Sequence, residues 1–165
     1  MRPIVCVLVL IAAFGFVSMQ SVAQEQYGFE KLITLVGEWE AKGPDGKDVT
    51  ISYELMSGGT SLMEILSESE DKNMVTIYHS DGDDLMMTHY CSMGNQPRMR
   101  AKVPGGEVKK IAFSFEDISN LADPSAAHMH SLAVTFNDKD HFTQEWTMRK
   151  EGKEIPMTFA FARKK

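Results

Sequence analysis

The stretch from Leu85 to Ala101, LMMTHYCSMGNQPRMRA, places His89, Tyr90 and Cys91 just before a Gly94-Asn95-Gln96-Pro97 turn, and His128-Met129-His130 supplies two more imidazoles. Residues two apart on a strand share a face, so His128 and His130 can reach one ion. Adding His89, or the Cys91 thiolate, would give three ligands and leave a fourth position for water or substrate, as an open divalent-metal site requires. The same residues also read as a polar rim in which the imidazoles bond loop carbonyls, the commoner role of such pairs at strand ends. Cys91 and His89 have the types needed for a thiolate nucleophile and its base; the other reading of Cys91 is a buried, inert thiol. Arg98 and Arg100 alternate with Met99 and Ala101. Facing inward, the arginines would hold a ligand carboxylate. With Met99 opposite Phe113 and Ala101 opposite Ile111, they would face solvent.

The elements that must hold these residues are almost all strands. Phe29, Leu32, Ile33 and Val36 fall at i, i+3, i+4 and i+7, which predicts a short amphipathic helix from Tyr27 to Leu35. Gly37 ends it. Beyond that point, short runs rich in Val, Ile, Thr, Phe and Tyr alternate with Gly, Asn and Asp turns. Strands are expected at Glu38 to Lys42, Val49 to Met56, Ser61 to Ser69, Met74 to Ser80, Asp84 to Ser92, Arg98 to Val103, Val108 to Glu116, His128 to Phe136, His141 to Arg149 and Glu154 to Arg163. Ten strands joined by tight turns make an all-β antiparallel up-and-down meander, and a meander of this length closes into a barrel because closure removes exposed edges.

The last three strands fix a register. A two-residue turn at Glu151-Gly152 sets Met148 opposite Ile155, Trp146 opposite Met157, Gln144 opposite Phe159 and Phe142 opposite Phe161. A three-residue loop at Asp138 to Asp140 sets Phe136 opposite Phe142, Val134 opposite Gln144, Leu132 opposite Trp146 and His130 opposite Met148. Both pairings put apolar residues on one face, which a one-residue slip would destroy. His128 and His130 then point inward, as do His89, Cys91 and Met87 on their own strand. Gln144 is the one polar residue in this wall, placed to orient a ligand or to be satisfied by a tyrosine or water.

Alternate turns of a meander lie at opposite ends. His89, Cys91, Asn95, Gln96, His128 and His130 gather near one end, together with the longest loop, Asp117 to Ala127. Long loops in compact domains serve as lids or binding loops. The helix is expected to plug the other end.

Arg2, an apolar run from Ile4 to Val17 and the small residues Ser21-Val22-Ala23 form a secretory signal peptide over Met1 to Ala23. Its cleavage would leave one domain, residues 24–165, in a periplasmic or secreted location with no stable membrane anchor. The formal charge of −6, or about −7 once Arg2 is gone, argues against nucleic acid as a partner. Cys91 is then the only cysteine, which excludes an intrachain disulfide. Ten of the twelve methionines also remain, suited to filling a core or to lining an adaptable site.

Gly37-Glu38-Trp39, directly after a short helix and at the start of a meander, resembles the Gly-x-Trp opening of the calycin superfamily, which includes lipocalins and fatty-acid-binding proteins. The resemblance implies that Trp39 closes the barrel base and packs on a basic side chain near the last strand, here Arg163. A helix before a ten-stranded barrel is also similar to nitrobindin-type haem barrels. Thr88-His89-Tyr90-Cys91, the Gly94-to-Met99 segment and His128-Met129-His130 resemble a family of exported bacterial lipocalin-like proteins of unknown function. The expectation is an exported barrel that holds a small, largely apolar ligand, with His89, Cys91, Asn95, Gln96, His128, His130, Gln144 and Trp146 as candidate contacts. The alternatives are a divalent metal or haem held by His89, His128 and His130, with or without catalysis, and a structural barrel with a filled core.

Overall fold

Period-two alternation of apolar and polar residues, repeated between short turns, produces ten strands that each pair with their sequence neighbour. The computed structural model describes residues 27–43, 45–67, 73–103 and 105–165. The leader expected over Met1 to Ala23 lies outside the described residues, as do Pro44 and the turn around Asp71. The strands are β1 (Gly37–Lys42), β2 (Asp48–Met56), β3 (Ser61–Ser67), β4 (Asn73–Asp81), β5 (Asp84–Tyr90), β6 (Gln96–Lys102), β7 (Lys110–Ser119), β8 (His128–Phe136), β9 (His141–Lys150) and β10 (Lys153–Arg163). All neighbours are antiparallel, and β1 meets β10 through Trp39↔Arg163 and Glu40↔Ala162, closing the barrel.

β9 and β10 pair in the predicted register, Trp146 opposite Met157 and Phe142 opposite Phe161. Two β-bulges change the expected pairing elsewhere. In β8 the register shifts between Met129 and Ser131, so Met129 rather than His130 lies opposite Met148, and Met129 is 9% exposed instead of facing solvent. In β7 the shift beside Arg98 and Met99 places Met99 opposite Phe115 and Arg100 opposite Ser114, two residues from the predicted partners. A bulge adds an unpaired residue and re-aims the strand beyond it, which alternation alone does not reveal. Ile155, expected in the interior wall, is 40% exposed, and Phe136, Met148 and Met157 are only partly buried. Phe136, Met148 and Ile155 lie toward strand ends, where the wall meets solvent.

The helix α1 spans Tyr27–Ile33 and buries Phe29 and Leu32. It lies close to the barrel because residue 28 has no side chain: a Cβ there would stand 2.8 Å from Val103 Cγ2 and 2.9 Å from Leu85 Cδ1. Helix propensity alone would make Gly28→Ala stabilising by about 1 kcal/mol. The steric conflict decides otherwise, and the variant is expected to lose about 1–3 kcal/mol, read as a lower urea midpoint with an unchanged slope.

At the same end, Trp39 is buried against the edge of Phe142, with ring centroids 4.8 Å apart. Its Nε1 donates to Leu35 O at 2.7 Å. The structure brings Arg163 over the indole, 3.9 Å from the ring centroid. Arg163 Nη1 and Nη2 donate to Val36 O and Thr34 O, each at 2.9 Å. Gly37 has φ +123°, and a Cβ there would meet Arg163 Nη1 at 2.9 Å, so this junction needs glycine for both backbone and space.

Candidate functional site

The middle of the barrel is filled. Trp39, Tyr53, Tyr78, Phe113, Phe142 and Phe161 head a set of side chains less than 2% exposed, and exposure that low leaves no water-sized space beside them. Within this apolar packing sits one polar cluster, built by alternation on five strands. Tyr53 on β2 lies opposite Glu64 on β3, Glu64 opposite Thr76 on β4, and Thr76 opposite His89 on β5. Gln144 and Trp146 on β9 face them from across the interior.

Glu64, 1% exposed, is the centre of the cluster. Its Oε2 accepts from Tyr53 Oη at 2.7 Å, Tyr78 Oη at 2.7 Å and Gln144 Nε2 at 2.9 Å. Gln144 Nε2 also donates to Tyr53 Oη at 2.9 Å. Trp146 Nε1, which can only donate, gives its hydrogen to Gln144 Oε1 at 2.9 Å and so fixes the amide's orientation. Burial pushes the Glu64 pKa up, opposed by the hydrogen bonds from Tyr78, Tyr53, Gln144 and Thr76. Burial first, and the Glu64 charge second, hold both tyrosines well above their usual range. Three donors converging on Oε2 leave that oxygen unprotonated.

The cluster runs toward the open end through Thr76 and His89. Thr76 Oγ1 donates to Glu64 Oε1 over a long 3.5 Å and lies 2.9 Å from His89 Nδ1. With the threonine hydrogen on Glu64, His89 Nδ1 donates to Thr76 and the Nε2 lone pair is left as an acceptor; with that hydrogen on Nδ1, Nε2 carries the proton. His89 is 2% exposed, and its Nε2 has no hydrogen-bond partner. Burial lowers its pKa to about 4, so the ring is neutral at pH 7. It leans on Trp146, with ring centroids 5.0 Å apart.

One residue pair closer to the open end, the polar layer is capped by sulfur. Met74 lies two residues from Thr76 on β4, Cys91 follows the end of β5 two residues beyond His89, and Met129 lies opposite Met148. Met74, Cys91 and Met129 are buried, while Met148 and Met157 keep part of their surface exposed. Cys91 is a buried thiol, two residues after an imidazole whose Nδ1 is engaged by Thr76.

The remaining candidates form the rim. Asn95 Nδ2 donates to Ala127 O at 2.9 Å, tying the turn after β5 to the loop before β8. Gln96 holds Gly94 O and Ser119 Oγ, each at 3.0 Å. His128 Nδ1 lies 3.0 Å from Ala126 O, and His128 and His130 flank Phe115 at centroid distances of 5.5 and 4.8 Å. Burial lowers the His130 pKa, with the Arg149 charge acting the same way. The His89 ring thus packs on Trp146 and the other two on Phe115. Among the described residues, no group of three or more His, Cys, Asp or Glu side chains is placed to hold a metal ion. The side chains in the middle of the barrel are less than 2% exposed, which does not fit a haem packed among them.

Both arginines of β6 face outward. Arg98 pairs with Asp117, and Arg100 reaches Asp81, Asp84 and Glu116 at 2.9, 3.2 and 3.5 Å.

Sequence reasoning singled out His89, Gln144 and Trp146 but missed Glu64, Tyr53, Tyr78 and Thr76. The signal was present: Leu62, Glu64 and Leu66 share one strand face, a carboxylate between two core leucines. Such a residue requires donors from neighbouring strands, and Tyr53 and Tyr78 occupy the facing inward positions.

The chain matches no family model and no curated protein. Its fold resembles the solved structure of a protein of unknown function from the DUF3598 family of Nostoc punctiforme, with a TM-score of 0.54 at 13% identity. The match covers 81% of this chain and 48% of the other, so this chain spans about half the length of that neighbour. At this identity the likeness carries the barrel fold alone.

Proposed function

We propose that the barrel binds a small molecule with an apolar body and one hydrogen-bond donor, received through the open end, with the donor directed to Nε2 of His89. One observation carries this reading. The buried side-chain polar atoms left without a partner among the described residues are His89 Nε2, Asn95 Oδ1 and His130 Nδ1, and all three belong to the open half. The side-chain donors around Glu64, by contrast, are paired. An unmet buried acceptor costs about 1–3 kcal/mol, and native interiors keep few of them. A ligand hydroxyl or N–H would satisfy His89, and its apolar body would displace thioethers, which adopt new shapes at little cost. Export belongs to the same proposal, which makes the protein a periplasmic or secreted carrier.

The test compares 1-octanol with its isomer 1-methoxyheptane, which has the same size but no O–H. The wild-type protein is expected to bind the alcohol about tenfold more tightly, as one neutral hydrogen bond allows. His89→Phe should bind both equally while remaining folded. Equal binding by the wild-type protein, or discrimination that survives in His89→Phe, would remove the site.

A further inference from the structure

A cleft of about 620 Å³ opens beside the helix at the plugged end, within the usual size of small-molecule sites. Its apolar surface comes from Leu35, Trp39, Val108 and Phe136, and its charge from Lys31, Lys109, Lys139 and Arg163 against Glu107 and Asp138. Phe136, expected in the interior wall, is instead only partly buried and contributes to this surface.

We infer that this cleft is a second binding site, for a small organic carboxylate on an apolar body. In a chain of net charge −6, four cations stand against Glu107, Asp138 and Asp140, the last 3.8 Å from Lys139 Nζ and 3.9 Å from Arg163 Nε, so the cleft keeps a small positive excess that reverses the local sign and draws anions. The acids are already engaged. Asp138 accepts from the Asp140 N–H at 2.8 Å and lies 2.9 Å from His141 Nδ1, and Glu107 stands 3.8 Å from Lys109 Nζ. The Arg163 guanidinium is pinned by Val36 O and Thr34 O, which fixes one positive charge in place without cost at the moment of binding. Lys31 Nζ sits 4.9 Å above the Phe136 ring, so a cation and an apolar face are presented together. A carboxylate among the lysines with its body on Phe136 and Val108 uses both. A neutral molecule of the same shape uses only one.

The test is titration of the wild-type protein with octanoate, followed by backbone amide NMR, with 1-octanol as the uncharged comparison. Saturable octanoate shifts are expected at Lys31, Val108, Phe136 and Asn137, together with at least tenfold weaker binding to the K31Q/K109Q variant, whose spectrum otherwise overlays the wild type. Both lysines are surface groups, so the variant remains folded. Octanoate shifts confined to the open-end residues, equal perturbation of the cleft by 1-octanol, or an unweakened variant would each overturn the inference. Because the cleft and His89 lie at opposite ends, the outcome here is independent of whether the open end binds an alcohol.

Discussion

Glu64→Ala is expected to destabilise the barrel by about 3–5 kcal/mol, a large share of the whole stability of a domain this size. The carboxylate receives hydrogen bonds from Tyr53, Tyr78 and Gln144. Removing it leaves three buried donors aimed at a cavity, and each such group costs about 1–3 kcal/mol unless water enters to meet it. The cavity adds to the loss. Glu64→Gln keeps the volume and one acceptor oxygen but turns an NH₂ toward Thr76 or a tyrosine, and is expected to lose only about 1–2 kcal/mol. Urea denaturation of both variants checks the ranking. Equal, small losses would mean that the cluster is not what holds β2, β3, β4 and β9 in place.

The second large effect is a loss of stability in acid that traces to one residue. Burial lowers His89 from its ordinary 6.5 to about 4, so the unfolded chain binds a proton that the folded chain refuses. Stability from this group is complete above the unfolded value and is lost as pH falls from 6.5 towards 4, by about 3 kcal/mol over the window. Glu64 acts in the opposite sense: its raised folded pKa means that protonation favours the folded state between the ordinary carboxylate value and the raised one. The measured profile is therefore the sum of the two. Comparing the wild-type protein with His89→Phe at each pH isolates the histidine. The variant is expected to be much less sensitive between pH 6.5 and 4, and an identical slope in both proteins would show that His89 is charged without penalty when folded.

The barrel was legible in the sequence because its register rests on apolar pairs. A slip of one residue in β9 would have turned Phe142, Trp146 and Met148 outward together, so the pairing with β10 had one low-energy solution. The bulges in β7 and β8 were not legible. Each depends on how one extra residue is accommodated, and the neighbourhood of Phe115, Met129 and His130 changed with them. The histidines were conspicuous by residue type, and the structure divides them: His89 joins the buried cluster, while His128 and His130 share Phe115 at the rim. Glu64 passed unnoticed because acidic residues are usually solvated, although its strand phase placed it inside. A single inward carboxylate says more about the interior than several histidines near strand ends, since burial of its charge compels partners. The cleft beside the helix had no sequence signal at all, because Lys31, Lys109 and Lys139 converge only when the barrel closes.

The measurement that reaches the central claim most directly is the ¹⁵N spectrum of the five histidine imidazoles, recorded at pH 7 with and without 1-octanol. His89 is expected to carry its proton on Nδ1, and its unprotonated Nε2 resonance to move as the alcohol hydroxyl bonds to it. His79 and His141, at the far end, should stay in place, and 1-methoxyheptane should move none of the nitrogens. A proton found on Nε2, or an Nε2 resonance unmoved at saturating 1-octanol, would contradict the assignment of His89 as the acceptor for the ligand.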